Sequence, residues 1–436
     1  MLPLDAGSQS AFSVMDGRDT TDNVYSIPSN HSLILDLPPS CIEFSPLHPD
    51  SFVVGTYFLE PVSEAASQTT STQEGKGDDE IKRPVQDRRG SLMLFNLNDQ
   101  RPIVQHTLYL SYAVLDLQFT RCKEGIFAIA TSNGAVCLCT TKVKGTGPIE
   151  ILNTYQVFSK SSITLSLAWN RALSHSDAIA ASSSDGQIAI FDTKYQPPMT
   201  YRKTEAHSLE AWTLAWTCRS AEHDLGPELY SGGDDSALCR HGLSVYSVSG
   251  NLRDGNVPSH GYDFVPPIRD AKTHNAGVTA ILPLQPVFHE EQVLLTGSYD
   301  EYVRVLLPIN GRATPMVLAE ERLGGGVWSL KRLDFTVPDN GIGPAFRILA
   351  SCMHAGAKLL EVRRAEGERW LINVLAKFVE HESMVYASDG RARYGGWGLE
   401  GFIFVSTSFY DKKLCVWETK VHRSESDSGI SLDTHV

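Results

Sequence analysis

Long hydrophobic runs are missing from this sequence. No stretch approaches the roughly eighteen apolar residues that a membrane-spanning helix needs. The first residues, Met1 to Thr20, are polar and lack the charged-then-apolar order of a secretory signal, so secretion is not expected. Paired cysteines are missing too. The eight cysteines stand singly, apart from Cys137 and Cys139, whose spacing puts both on one face of a strand. No Cys-x-x-Cys occurs, which argues against a disulfide framework or a zinc site. The pattern fits reduced, mostly buried thiols in a cytoplasmic protein. Basic charge is in deficit, because 38 Lys and Arg against 51 Asp and Glu leave a net charge of −13. Nucleic acid and anionic membranes both select a basic face, so neither is an expected partner.

Familiar catalytic signatures are also absent. There is no Gly-x-Ser-x-Gly elbow, no His-Glu-x-x-His and no phosphate loop. One formal Gly-x-Gly-x-x-Gly occurs at Gly396-Trp397-Gly398-Leu399-Glu400-Gly401. It lies between two strand-like runs with no helix after it, so it reads as a turn rather than a dinucleotide site.

What the chain does have is a core and a repeat. Of its 436 residues 42% are hydrophobic and 20% charged, enough to bury a sizeable interior. Leu294-Leu295-Thr296-Gly297-Ser298-Tyr299-Asp300-Glu301-Tyr302-Val303-Arg304-Val305-Leu306 reads as two strands joined by a tight turn with Asp300 at its corner. Equivalent corners fall at Asn133, Asp185, Asp235, Ala355 and Asp411. They recur at intervals of roughly 50 to 65 residues, longer than the usual WD repeat of about 40–45. His207, His274 and His381 precede first strands as the Gly-His half of that repeat does, and Trp417-Glu418 closes the last one.

Seven such units in the same internal order predict an all-β fold, a seven-bladed WD-repeat β-propeller. The last unit ends after its third strand. The isolated segment Ser32 to Asp36 is therefore expected to supply the fourth and close the ring, leaving no open edge. The expected organisation is a disordered stretch over 1–22, the propeller over 23–420, a flexible polar insertion at 62–89 in the first blade, and a disordered tail at 421–436. A second long loop is expected at 251–268.

The corner acids and repeat histidines are what the fold itself requires. The residues beside the corners are not. Asp234, Tyr299, His354 and Tyr410 should cluster on one rim with the first-strand entrances Glu210, Trp212 and Trp328. A histidine near carboxylates on such a rim suits general acid–base work near neutral pH.

The ordered set Ser231-Gly232-Gly233-Asp234-Asp235, Thr273-His274-Asn275-Ala276-Gly277-Val278, Thr296-Gly297-Ser298-Tyr299-Asp300-Glu301, Gly324-Gly325-Gly326-Val327-Trp328 and Cys352-Met353-His354-Ala355-Gly356 resembles the WD-repeat diphthine methyl ester hydrolases of eukaryotic diphthamide biosynthesis. The resemblance is best over Trp212 to Lys358 and weaker elsewhere. It implies a hydrolase acting on a methylated intermediate carried by a histidine of elongation factor 2, releasing methanol and diphthine.

The family offers no catalytic motif to carry over, so the roles come from the chemistry. His354 is the expected base activating water, oriented by Asp234 or Glu210. Tyr299, Tyr410 and Trp328 are the expected aromatic faces for the quaternary ammonium of the intermediate. No metal and no cofactor are expected. Elongation factor 2 is the implied partner, with other enzymes of the same route as further ones. The alternative is a non-catalytic WD-repeat scaffold, such as a ubiquitin-ligase substrate adaptor or a trafficking subunit, because propellers host both kinds of function.

Overall fold

A computed structural model describes residues 24–61, 87–121, 123–141, 147–170, 178–193, 202–217, 228–248, 259–284, 292–336, 344–365, 369–395, 398–423 and 430–432. The expectations for 1–22, for most of the 62–89 insertion and for most of the tail lie outside these residues. Within them every regular element is a strand. Seven antiparallel sheets follow one another, each with its first strand nearest the axis.

Blade two is the plainest, running Val114–Phe119, Ile126–Thr131, Ala135–Thr141 and Ile149–Gln156 from the axis outwards. Blade three repeats it with Thr164–Trp169, Ala178–Ser183, Gln187–Asp192 and Arg202–Glu205, and blade five with Val278–Leu284, Val293–Ser298, Tyr302–Leu307 and Met316–Arg322. Blade six consists of Ser329–Thr336, Ala345–Ser351, Ala357–Arg364 and Trp370–Phe378.

The remaining blades carry the departures. Blade one is Pro39–Phe44, Ser51–Thr56, Arg88–Asn98 and Arg101–Leu110, so Arg88 and Arg89 belong to a strand rather than to the expected insertion. There they pair with Phe58–Leu59, and the Arg89 guanidinium lies 4.9 Å above the Phe58 ring. Blade four is Ala211–Thr217, Glu228–Gly233, Leu238–His241 and Ile268–Asp270. Between its last two strands a hairpin pairs Leu243–Val248 with Ser259–Phe264, which corrects the expectation of a plain loop at 251–268.

Blade seven contains Val385–Gly395, Gly398–Ser408 and Lys413–Arg423, and its outer strand is the N-terminal His31–Ile34. The closing register sets His31 opposite Val416 and Ile34 opposite Lys413. A second tie precedes it, since Ser26 bridges Lys377 on the outer strand of blade six. Lys413–Arg423 runs past the expected boundary at 420, and Ile430–Leu432 pairs back on its end. The Gly-x-Gly-x-x-Gly falls at a hairpin, with Gly395 opposite Gly398 and residues 396–397 outside the described set.

The core sits between blades. Each sheet is covered on both faces by its neighbours, so a second strand such as Val293–Ser298 is buried at every position. One cluster joins Val303, Val305 and Val327 to Phe346, Ile348 and Leu360 across blades five and six. Another joins Val405, Leu414 and Val416 of blade seven to Ile42, Phe52 and Phe95 of blade one, and Leu33 of the closing strand packs onto it. The six described cysteines are all free and buried.

Candidate functional site

The turns between second and third strands share one face of the ring with the starts of the first strands. In blade seven the corner works through a serine, because His381 Nδ1 is 2.7 Å from Ser408 Oγ, which donates to Asp411. His381 Nε2 also meets Ser406 Oγ at 2.8 Å, and Trp417 Nε1 donates to that hydroxyl at 3.0 Å. Blade four puts His207 Nδ1 2.9 Å from Asp235, with Ser231 Oγ between His207 Nε2 and His241 Nε2 at 2.8 Å each. Burial opposes charge on Asp235, but bonds from His207, Arg269 and Ser208 outweigh it and hold the carboxyl well below its usual range. In blade five Arg304 stands between the partners, reaching His274 Nδ1 at 3.1 Å and Asp300 at 2.8 Å. These groups serve the fold. They are committed to one another, with His207, Ser231, His241, His274 and Arg304 buried.

Beside them lies a continuous aromatic wall. Trp328, immediately before the first strand of blade six, has its ring 5.4 Å from Trp212, 5.9 Å from Tyr299 and 4.9 Å from Tyr386. The wall continues from Tyr386 to Phe409 at 5.7 Å, and from Phe409 to Tyr57 of blade one at 6.1 Å. Trp212 Nε1 donates to Asp234 Oδ1 at 3.1 Å, so a carboxylate is fixed within the wall. The Asp234 amide in turn donates to the Glu210 carbonyl at 2.8 Å. Burial, with the charges of Asp234 and Glu210 and the neighbouring Tyr386, keeps the Tyr299 hydroxyl protonated far above neutral pH. The Tyr386 hydroxyl is pushed up to about 12 by burial and by Tyr410.

Trp212, Trp328 and Tyr386 also cap a channel of about 730 Å³ lined by the first strands of all seven blades. Three residues further along their strands stand Lys331 and Asp389, and Glu43 and Asp116 join them in the lining. Each acid staples the next blade. Asp389 accepts from the Phe44 amide at 2.8 Å, Glu43 from Phe119 at 2.7 Å, and Asp116 from Leu167 at 2.8 Å. Burial raises the carboxyl of Asp116, opposed by the Leu167 amide and by Lys331. It raises that of Asp389 as well, against Lys331 and the Phe44 amide. None of these four was singled out from the sequence. An acid in an apolar first strand, as in Val114-Leu115-Asp116-Leu117, was the available signal.

The structure brings Trp328, Tyr299 and Asp234 together, with Glu210 next to them. Of the sequence-predicted residues Trp212 and Trp328 line the channel. Tyr410 is 54% exposed at the outer rim, its ring 5.2 Å from Phe409. His354 is exposed on the corner of blade six, and its side chain makes no hydrogen bond among the described residues. Its expected orientation by Asp234 or Glu210 is therefore not formed, since the Asp234 carboxylate is held by Trp212 instead. Tyr386, Phe409 and Met353 complete the wall and were missed. Among the described residues no three His, Cys, Asp or Glu converge as a metal site would.

The triple glycine explains how this corner is built. A Cβ on Gly325 would fall 2.2 Å from the Cys352 carbonyl oxygen, and one on Gly326 2.8 Å from Met353 Sδ. Glycine at both positions lets the 352–355 turn press onto the start of the blade-six strand. Sequence motifs some 25 residues apart in the chain are thus two halves of one contact.

The ring, its closing strand and its His–Ser–Trp corner define a WD-repeat β-propeller. A chain in the crystal structure of the mitotic checkpoint complex matches it with a TM-score of 0.54 at 15% identity, covering 96% of this chain and all of that one. That likeness carries the fold alone. No family model matches the chain. In sequence it is similar to the diphthine methyltransferase of Schizosaccharomyces pombe, 26% identical over 88% of this chain and 95% of that protein. It is similar also to the human protein of that name, at 28% identity over 81% of this chain and 72% of the relative. A diphthine methyltransferase homolog of Dictyostelium discoideum is 25% identical over 88% and 97% of the two chains. These relatives support a role in diphthamide biosynthesis.

Proposed function

We propose that the protein is a diphthine methylesterase, removing the methyl ester of the diphthine intermediate on elongation factor 2. The observation that carries the reading is the aromatic wall of Trp212, Trp328, Tyr299 and Tyr386 with Asp234 fixed inside it. Aromatic faces beside a carboxylate are the surroundings a quaternary ammonium prefers. The names of the relatives describe methyl transfer. Here the methyl group leaves with its oxygen as methanol, and the acyl carbon passes to water.

In this reading Trp328 and Tyr299 hold the ammonium, Asp234 and Glu210 supply the opposing charge, and Tyr410 meets the protein substrate at the rim. His354 takes a proton from water as its oxygen bonds to the ester carbonyl carbon. The tetrahedral intermediate then breaks its bond to the methoxy oxygen, which leaves with that proton as methanol. The acid that remains releases the second proton of the water to solvent and stands as a carboxylate. An exposed base that is unpartnered in the free protein is compatible with this role, because catalytic hydrogen bonds commonly tighten only with substrate bound.

Methanol release from methylated elongation factor 2 tests the proposal, and no methyl donor should be needed. Hydrolysis at the parental rate by His354→Ala would remove the base assignment. Consumption of a methyl donor without methanol would replace hydrolysis by transfer. Stable co-purification with a ligase or coat complex, without turnover, would favour the scaffold.

A further inference from the structure

Six residues on the described rim corners take the left-handed conformation for a shared reason. Each follows a corner position: Gly134, Gly186 and Gly356 in blades two, three and six, and Ser236, Glu301 and Lys412 in blades four, five and seven. Met353, at φ 47°, has no counterpart in that set, since the corner of blade six already has Gly356. L side chains rarely adopt this conformation, and where it persists the surroundings must enforce it.

The surroundings of Met353 are the aromatic wall. Its sulfur and the Tyr299 ring both lie against Gly326, where a Cβ would stand 2.8 Å from Met353 Sδ and 3.3 Å from Tyr299 Cδ1. Its carbonyl accepts from the Val385 amide at 3.1 Å, immediately before Tyr386. With Trp328 and Met384 it packs onto the cluster of Tyr57, Ala113, Tyr386 and Phe409. Met353 therefore links Tyr299 and Trp328 on one side to Tyr386 on the other, through its side chain and its backbone. A thioether is soft enough to fill such a gap and favours ring edges.

We propose that Met353 is a positioning residue that sets the spacing of the aromatic wall and so its selectivity for a fully methylated over an unmethylated ammonium. The inference rests on the ammonium-binding reading of the wall given above. Gly326 belongs to the same device, because the missing Cβ is what admits the sulfur.

The test uses the full chain, with tetramethylammonium and ammonium as probes and tryptophan fluorescence as the readout. Met353→Gly keeps the left-handed backbone accessible and removes the side chain. It is expected to lower the preference for tetramethylammonium about tenfold, whereas Met353→Leu, which restores the volume, stays within about twofold of the parent. Gly326→Ala crowds Met353 Sδ first and the Tyr299 ring edge second, and should reproduce the loss even where Met353→Gly folds poorly. Parental selectivity in a folded Met353→Gly or Gly326→Ala overturns the proposal, as does equal loss in Met353→Leu and Met353→Gly. If the parent binds no tetramethylammonium, the proposal falls together with the ammonium site. Failure of the esterase reading alone is seen separately, as absence of methanol release by a parent that still binds the probe.

Discussion

At the scale of single residues, the wall and the corners make opposite demands on glycine and histidine. Gly325 must be glycine because the space for a Cβ is taken by the Cys352 carbonyl, a backbone atom that cannot rotate away. Gly325→Ala is expected to cost about 1–3 kcal/mol, the usual range for overpacking. Thermal unfolding checks the number, and loss of activity beyond the loss of folded protein would show that the 352–355 turn has moved. Removing an aromatic face acts differently. On the proposed reaction, Trp328→Ala should lower kcat/KM for methylated elongation factor 2 about tenfold, in line with ~1–2 kcal/mol for a partly desolvated cation–π contact. A pulse of substrate at saturating and at limiting concentration would show whether the change lies in KM, as binding requires.

The buried histidines predict an acid limit. Burial pushes His241 down to about 3 and His381 to about 4, both below the ordinary 6.5. The unfolded chain therefore binds more protons than the folded one between these values. Their contribution to stability is complete above pH 6.5 and is lost as the pH falls towards the folded-state values. Asp116 and Asp389, whose carboxyls are raised by burial, pull the other way, so a single substitution is the cleaner measurement. His241→Gln retains a donor towards Ser231 and removes the titration. Urea unfolding at pH 7.5 and 4.5 should show the parent losing about 2–3 kcal/mol more than the variant over this interval.

At the scale of elements, the repeat was legible because its units are strongly marked. A second strand buried on both faces reads as an apolar run, and a corner acid with its turn follows it in blades three, four, five and seven. The closing strand was legible for a negative reason, namely a last repeat one strand short. What escaped has physical causes as well. Arg88 and Arg89 read as loop because charge is unusual in a strand, yet here one guanidinium stacks on Phe58 and Arg88 Nε donates to Tyr57 at 2.9 Å. Asp116 and Asp389 were not singled out, yet their carboxylates bind the amides of the next blade. The rim was found by its place beside the corners. The engagement of Asp234 by Trp212 was not, since no sequence spacing encodes an indole from a neighbouring strand.

A chain lacking residues 1–36 loses the partner of Lys413–Arg423 over the register His31 to Ile34 and exposes that edge. It also loses Leu33 from the cluster between blades seven and one. Unpaired edges invite intermolecular strand addition. The shortened chain should melt several degrees lower and elute partly as oligomers in gel filtration, while Leu33→Ala should lower the melting point without changing the elution.

At the scale of the whole molecule, the mouth of the channel is uneven. Blades four to seven contribute Trp212, Tyr299, Trp328 and Tyr386, whereas Ser40, Leu115 and Leu165 line the cavity from blades one to three. A ligand approaching along the axis would meet one aromatic side and one side of serine and leucine, which gives an almost symmetric ring a single working orientation. The net charge of −13 makes a cationic group the natural visitor to it.

The closing strand has one more consequence, and it concerns birth rather than shape. On the ribosome His31–Ile34 is made long before its partner Lys413–Arg423. At roughly 5–20 residues per second that separation is some tens of seconds of waiting. Until then His31–Ile34 is an unoccupied template, and the seventh blade lacks its outer pairing. Nascent chains arrested before Lys413, with a linker clearing the exit tunnel, should remain open to protease, and those extended past Arg423 should resist it.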